Sequence, residues 1–371
     1  MQGAARGGYT DAQITSLIRD SGSVEISAGL DLIDLSLTVL DDLTGDFLGG
    51  SVTRANYATL HGTADLNISR DLDWGTALVR PYMNMTDGVT TARFNLGVYL
   101  TSSPRTDAVE IPVTHSVTAY DILHWLNTPV GEAYTVESGT GYLAAVETIL
   151  IAEGILAYQI DQTQAAAVLP ASRSWAFDDK TTWLNIVNDL LSGIGYQGIW
   201  SDWDGRLRVQ PYLVPRDRKV EWLYDAGSDT SMLGRRAIIR DWFDVPNRWV
   251  YFSNADPGGS APIDGAGLYV YVNQYIGPTS VAARGRVISA KPEQIDSVDQ
   301  NALIAAATQR IDADMRLKTT FEVESFPNPL HWHFDRLAVS DPSLGPISDV
   351  LGVRWTLPLN GSNMQHEWSL L

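Results

Sequence analysis

The chain contains no cysteine. Disulfides, thiolate nucleophiles and Cys-based zinc or iron–sulfur sites are therefore excluded, and the fold must rest on packing and assembly. Positive charge is scarce: 26 Lys and Arg stand against 44 Asp and Glu among 371 residues, for a formal charge of -18. A surface that grips nucleic acid must neutralise phosphates with Lys and Arg, so this balance argues against such a surface and fits one that repels DNA. Long apolar runs are missing too. No stretch approaches the roughly 20 apolar residues of a membrane helix, and Met1 to Asp20 lacks the apolar segment of a secretory signal. The chain is expected to have no membrane anchor and to be used without crossing a membrane through a signal of its own. Asn67-Ile-Ser69, Asn84-Met-Thr86 and Asn360-Gly-Ser362 then read as chance matches to the glycosylation acceptor pattern.

What is present is ordinary for globular protein: 44% hydrophobic residues and enough length for two or three units. Residues 1–21 read as a poorly tied arm with a possible short helix at Asp11 to Arg19. From Val24 the period is two. Ile33, Leu35, Leu37 and Val39 alternate with polar residues, as do Ala64, Leu66 and Ile68, and further strands fall at Ala77–Met85, Arg93–Leu100 and Val109–Val117. Short strands without a long helix between them indicate an antiparallel sandwich or barrel over residues 22–127. Residues 128–218 read as a small α+β domain. It carries a helix at Leu143–Glu153 and, over Thr181 to Tyr212, a second helix whose stripe is Trp183, Ile186, Val187, Leu190, Leu191 and Ile194. Asp178 and Asp179 stand at the N-terminal end of that helix, and a hairpin turning at Asp204-Gly205 follows it. Past the charged linker Pro215–Lys219, strands return over 219–371. They are interrupted by an exposed loop at Asn254–Gly267 and one helix at about 298–316, with Ser297 as its cap and an Asp312–Arg316 ion pair.

Candidate chemistry is thin. His331 and His333, with Asp335, would present two imidazoles to one face of a strand, as a metal site requires. Their position after Pro327-Asn-Pro329 suits a strand entry equally well. Asp202-Trp-Asp204-Gly205 opens like a calcium loop, but Leu207 and Val209 continue a strand where later ligands belong, so a hairpin turn is the simpler reading. Paired acids at Asp41-Asp42, Asp178-Asp179 and Glu322/Glu324, with 12 Trp, would suit a glycosidase cleft, yet such pairs are common in an acidic chain. No G-x-S-x-G, no phosphate-binding G-x-x-x-x-G-K-[ST] and no HExxH occurs. The sequence therefore assigns no catalytic, cofactor-binding or metal residue, and no enzymatic activity or cofactor is expected.

A resemblance enters at Trp183-Leu184, Leu190-Leu191, Gly195-Tyr196, Trp200 and Asp204-Gly205-Arg206-Leu207 running into Pro211-Tyr212. It continues at Asp73-Trp74, Arg80-Pro81-Tyr82-Met83, Leu96-Gly97-Val98-Tyr99, Tyr120-Asp121, Asp244-Val245-Pro246-Asn247-Arg248 and Phe326-Pro327-Asn328-Pro329. Across most of residues 65–340 the chain resembles the tail hub proteins, also called baseplate hub or minor tail proteins, of long-tailed phages infecting actinobacteria. The resemblance implies a mainly β fold: two tail-tube-like antiparallel β-barrel or sandwich domains, 22–127 and 219–371, joined by the peripheral α+β domain 128–218. It also implies a homotrimer continuing the tail tube, with a channel through which DNA passes without specific binding. The implied neighbours are the distal tail protein or tube above, the tape measure protein, and tip or fibre proteins below. The implied location is the virion tail tip, after assembly in the host cytoplasm. Because the sequence stops at Leu371 without appended hydrolase or fibre regions, lytic and receptor-binding activities are expected on other subunits. The alternative reading is a cell-wall polysaccharide hydrolase or carbohydrate-binding tail module.

Overall fold

The computed structural model describes residues 1–3, 8–19, 24–107, 113–176, 181–226, 232–240, 242–253, 267–295, 297, 299–316, 319–341 and 345–371. The chain opens with α1 (Asp11–Arg19) and then β1 (Glu25–Ile33), β2 (Val39–Asp42), β3 (Phe47–Ala55), β4 (Gly62–Ile68), β5 (Leu78–Thr86), β6 (Thr91–Asn95), β7 (Tyr99–Thr101), β8 (Arg105–Asp107) and β9 (Thr114–Asp121). An α+β stretch follows: β10 (Tyr134–Val136), α2 (Tyr142–Ala152), β11 (Tyr158–Ile160), β12 (Arg173–Trp175), α3 (Trp183–Gly193), β13 (Trp200–Ser201) and β14 (Leu207–Val209). The last part holds β15 (Trp222–Asp225), β16 (Met232–Arg240), β17 (Arg248–Phe252), β18 (Leu268–Val272), α4 (Val281–Arg284), β19 (Glu293–Gln294), α5 (Gln300–Arg316), β20 (Thr319–Ser325), β21 (Arg336–Asp341), β22 (Gly345–Pro358) and β23 (Met364–Leu370). The fold is mainly β, and its sheets are largely antiparallel, as the alternating patterns predict.

The two β regions do not stand apart. Arg354–Pro358 of β22 pairs antiparallel with Ser51–Ala55 of β3, so strands from both ends of the chain form one fifteen-stranded sheet. Its main path runs β16-β20-β23-β22-β3-β4-β9-β7-β5-β1-β2. One hydrophobic core lies under the join: Val52, Leu66, Phe94 and Tyr99 from the first region pack in the same cluster as Phe321, Trp355, Leu357 and Trp368 from the last. No local pattern could reveal this, because the pairing spans about three hundred residues and is set by tertiary packing rather than by propensity.

Two satellite cores flank it. In the first, Leu184, Ile186, Val187, Leu190 and Leu191 of α3 are buried against Val146, Ile149 and Leu150 of α2. From Ile186 to Ile194 the stripe is buried as its spacing predicts, but Trp183 is only partly buried and Leu184, outside the stripe, is fully buried. The cap differs as well. The Thr182 side chain accepts from Asn185 N–H, while Asp178 and Asp179 lie outside the described residues. The second satellite packs α5 on β17 through Trp249, Tyr251, Leu303, Ala306, Ala307 and Ile311. Here Ala302 N–H donates to Asp299 Oδ1 at 2.8 Å, which makes Asp299 the N-terminal partner in place of Ser297. Asp312 accepts from the Tyr212 hydroxyl at 3.1 Å. The expected partner, the Arg316 side chain, and the loop over 254–266 are outside the described residues.

Other expectations are corrected. Residues 1–21 read as a poorly tied arm, yet the short helix expected there forms as α1 and buries Ile14, Leu17 and Ile18 in the main core. Gln2 donates to the carbonyls of Asn95 and Pro329, and the Met1 ammonium lies 2.7 Å from Glu221 and 2.8 Å from Asp335. The Ile33–Val39 alternation belongs to a turn, not a strand. The Asp34 carboxylate accepts from the N–H groups of Ser36 and Thr38, and Leu37 takes φ 66°. An Asp that bonds backbone two residues on competes with a strand ladder, and alternation cannot register that. The strand expected over Arg93–Leu100 breaks into β6 and β7 at Gly97, whose φ of +97° and close approach to Trp332 and Tyr99 leave no room for a side chain.

Candidate functional site, a polar sheet face

Six neighbouring strands, β20 to β9 along the main path, bury one face and present the other. Parity assigns the faces. In β4, Ala64, Leu66 and Ile68 are buried whereas Asp65 and Asn67 are exposed; in β23, Met364, His366 and Trp368 are buried whereas Gln365 is exposed. Register then places the outward residues side by side across the join. Glu322 faces Glu367 and Glu324 faces Gln365; Glu367 faces Arg354 and Gln365 faces Thr356. Thr356 faces Thr53, with their hydroxyls 2.9 Å apart. Further along, the Thr118 hydroxyl donates to Asp65 at 2.7 Å and the Ser116 hydroxyl to Asn67 Oδ1 at 2.8 Å.

The result is a continuous surface of hydroxyls, amides and carboxylates in which Arg354 is the cation among Glu322, Glu324, Glu367 and Asp65. A groove of about 300 Å³ runs along it between Glu322, Glu324, Arg354, Gln365 and Glu367. Burial raises the Glu367 carboxyl above its ordinary value; Arg354 opposes the rise and Glu322 adds to it. Threonine and serine suit exposed strands because their branched or small side chains fit the pleat, and cross-strand hydroxyl pairs stabilise it modestly. Chemically such a face offers weak, interchangeable hydrogen bonds and a negative field.

A buried joint holds this face to the α+β stretch. Arg54 sits at a core-facing position of β3 and is 1% exposed. Its guanidinium lies 3.3 Å from Asp121 and donates to the Ser201 carbonyl at 2.8 Å, while the Ser201 hydroxyl donates to Asp121 at 2.8 Å. Trp332 covers the guanidinium, 4.2 Å from its ring centroid, and its indole N–H donates to the same Ser201 carbonyl. Burial lowers the Arg54 guanidinium and raises the Asp121 carboxyl, and each partner's charge counters the shift of the other. None of these was singled out as a functional group from the sequence. The available signal was an Arg at the inward parity of a strand whose neighbour Val52 is core.

The sequence candidates for chemistry are dispersed. His331, His333 and Asp335 lie in a bend before β21, not on a strand face. His331 Nδ1 bonds Asp335 at 2.9 Å and its Nε2 bonds the Tyr224 hydroxyl at 2.6 Å. His333 instead stacks on Trp200 and tilts against His61. Burial alone would raise the Asp335 carboxyl; the Met1 ammonium and His331 outweigh it and hold the group well below the carboxylate range. Asp202 caps the β13–β14 turn, accepting from the N–H groups of Asp204 and Arg206 and from Arg208. Asp204 accepts from the Asn95 amide at 2.7 Å. Gly205 has φ +91°, and a Cβ there would stand 2.3 Å from Val98, so the turn docks onto the first β region. Asp41 pairs with Arg70 on the surface.

No protein-family model and no curated protein sequence matches the chain. Solved structures do. The tail protein from Neisseria meningitidis MC58 is similar with a TM-score of 0.64 and 11% identity, over 93% of this chain and 96% of that one. The 43 kDa tail protein of prophage MuSo2 from Shewanella oneidensis gives 0.60 and 12%, over 93% and 98%. A prophage tail protein from Listeria monocytogenes EGD-e gives 0.52 and 12%, over 92% and 94%. The chain has the fold of these tail proteins.

Proposed function

We propose that this chain is a structural virion protein forming the trimeric hub at the distal end of a phage tail, in a long-tailed phage of an actinobacterial host. It continues the tail tube, attaches the tip proteins and leaves a channel for DNA, and it is not an enzyme. The observation that carries the reading is the unbroken polar, acid-rich face crossing the join of the two β regions. A duplex sliding past such a face meets like charge and no array of cations, so it is not retained.

Ring closure is supported by the two ends of the sheet. At one end β2 exposes Val39, Leu40, Asp41 and Asp42; at the other, β16 exposes Arg236, Arg240 and, at 46%, Ile239. Open strand edges seek partners, and an edge that meets a different edge of the next copy generates a ring when the rotation closes. Asp41 and Arg236 are already paired within the chain, with Arg70 and Asp341, so Asp42 on one edge and Arg240 on the other are the charges that favour that pairing over like with like. Partners in this reading are two further copies, the distal tail protein or tube above, the tape measure protein, and tip or fibre proteins below, assembled in the host cytoplasm. Sedimentation of the purified protein over a concentration series is expected to show trimers or larger rings. A strictly monomeric species at high concentration, or sugar release from host cell walls lost on single Asp or Glu substitution, contradicts the proposal and favours the hydrolase alternative.

A further inference from the structure

A second cavity, of about 310 Å³, lies where the turn after β3, the end of α3, the segment 212–218, α5 and the His333–Phe334 bend converge. Its wall is unlike the rest of this acidic chain: among the described residues that line it there is no Asp or Glu. Several polar atoms of the wall lack partners: Asn56 Oδ1 is an acceptor without a donor, but around Arg218 it is acceptors that are short. Among the described residues the largely buried Arg218 guanidinium hydrogen-bonds neutral oxygens alone, at the carbonyls of Leu213 (3.4 Å) and Phe334 (3.3 Å) and at Gln197 Oε1 (3.4 Å), while the Glu221 and Asp335 carboxylates act on its charge from beyond the wall. Gln197 is 1% exposed and its Nε2 has no partner, and the same is true of Nδ1 of His333, a residue 7% exposed. A buried guanidinium held by long bonds to neutral groups, beside an unpaired amide N–H₂, carries an unmet desolvation cost that an anion would offset.

The backbone is shaped around the same point. Phe334 takes φ 53°, a conformation that bulky residues adopt only when their surroundings impose it, and its ring packs against Tyr57. Arg310, the other cation of the wall, is already paired with Glu293. One guanidinium with no ion pair among the described residues, its charge met only from beyond the wall by Glu221 and Asp335, suits a monoanion. A dianion such as phosphate would need a second cation.

We infer that this cavity binds a small aliphatic carboxylate, with the Arg218 guanidinium and Gln197 Nε2 holding its oxygens and the Phe334 and Tyr57 rings covering its body. The Arg218 guanidinium lies 3.4 Å from Gln197 Oε1, which sets it beside the amide whose Nε2 is unpaired, and the volume falls at the small-ligand end of the usual pocket range. The inference does not depend on the hub reading.

Thermal unfolding and titration calorimetry of the full chain at neutral pH test it, with acetate, butyrate, butyramide and phosphate as probes. Saturable stabilisation by butyrate and acetate, absent with butyramide, is the expected result. Gln197→Leu should weaken butyrate binding about tenfold and Arg218→Gln by more, since hydrogen bonds to a charged group are lost. Gln197→Glu supplies the carboxylate in place: it should raise the melting temperature and abolish the response to butyrate, a readout that does not rely on a variant that fails to fold. Equal effects of butyramide and butyrate, tighter binding of phosphate, no saturable response to any carboxylate, or destabilisation by Gln197→Glu would each overturn the assignment.

Discussion

At the residue scale the molecule depends on a few buried charges placed at joints. Arg54, Asp121, Ser201 and Trp332 come from four separate stretches of the chain, and the two terminal nitrogens of Arg54, the Ser201 hydroxyl and the Trp332 indole N–H each find an oxygen of another. Removing one member of a buried ion pair leaves the other uncompensated, so Asp121→Ala is expected to cost about 3–5 kcal/mol in urea unfolding. A change below about 1 kcal/mol would mean the joint is solvated. Burial, with the Arg54 charge adding, pushes His61 from 6.5 down to about 3, and burial also holds His333 and His366 well below 6.5. These rings are neutral in the fold and take up protons when it opens. Their contribution is therefore full above pH 6.5 and lost progressively as pH falls towards 3. Between pH 7 and 5 the loss through His61 alone is about 2 kcal/mol, and equilibrium unfolding of His61→Gln should show a correspondingly flatter pH dependence. The sequence shows His61 and His366 as scattered letters and His333 only as half of a candidate metal pair. What makes them matter is burial, beside Arg54 for His61 and His333 and beside His331 for His366, which exists only once distant segments meet.

At the element scale, legibility followed the range of the interactions. The stripe over α3 is fixed by i, i+3 and i+4 neighbours, and its members Ile186, Val187, Leu190, Leu191 and Ile194 are buried. Leu190→Ala and Leu191→Ala are each expected to lower stability by about 2–5 kcal/mol, measured by denaturant unfolding with unchanged slope. Unchanged stability in both would remove α3 from the core. The alternation of β4 was equally readable, and so was the Asp-Gly turn between β13 and β14. Features decided by a side chain bonding to backbone were less so. Asp34 turned an alternating stretch into a hairpin, and Thr182 and Asp299 took the caps assigned to other residues. The apolar face of α1 is present in the sequence at Ile14, Leu17 and Ile18, but that it docks on its own chain follows from a core assembled from both ends of the molecule.

At the scale of the whole molecule the governing fact is that β22 pairs with β3. It turns two β regions into one sheet, places Thr356 beside Thr53, and extends the outward face from Glu322 to Ser116 without a break. The candidate face could not be seen in the sequence, since its residues are unremarkable Thr, Ser, Asn and Glu whose meaning lies in their register. The proposed hub follows from that face, from the acidic charge and from the two unlike sheet edges. An image of the assembled particle by electron cryomicroscopy, at a resolution that separates strands, tests it most directly. The account predicts threefold symmetry, β2 of one copy beside β16 of the next, and Glu322, Glu367, Thr356, Thr53 and Asp65 lining a central channel. A particle without threefold symmetry, or one with this face turned outward, would contradict it.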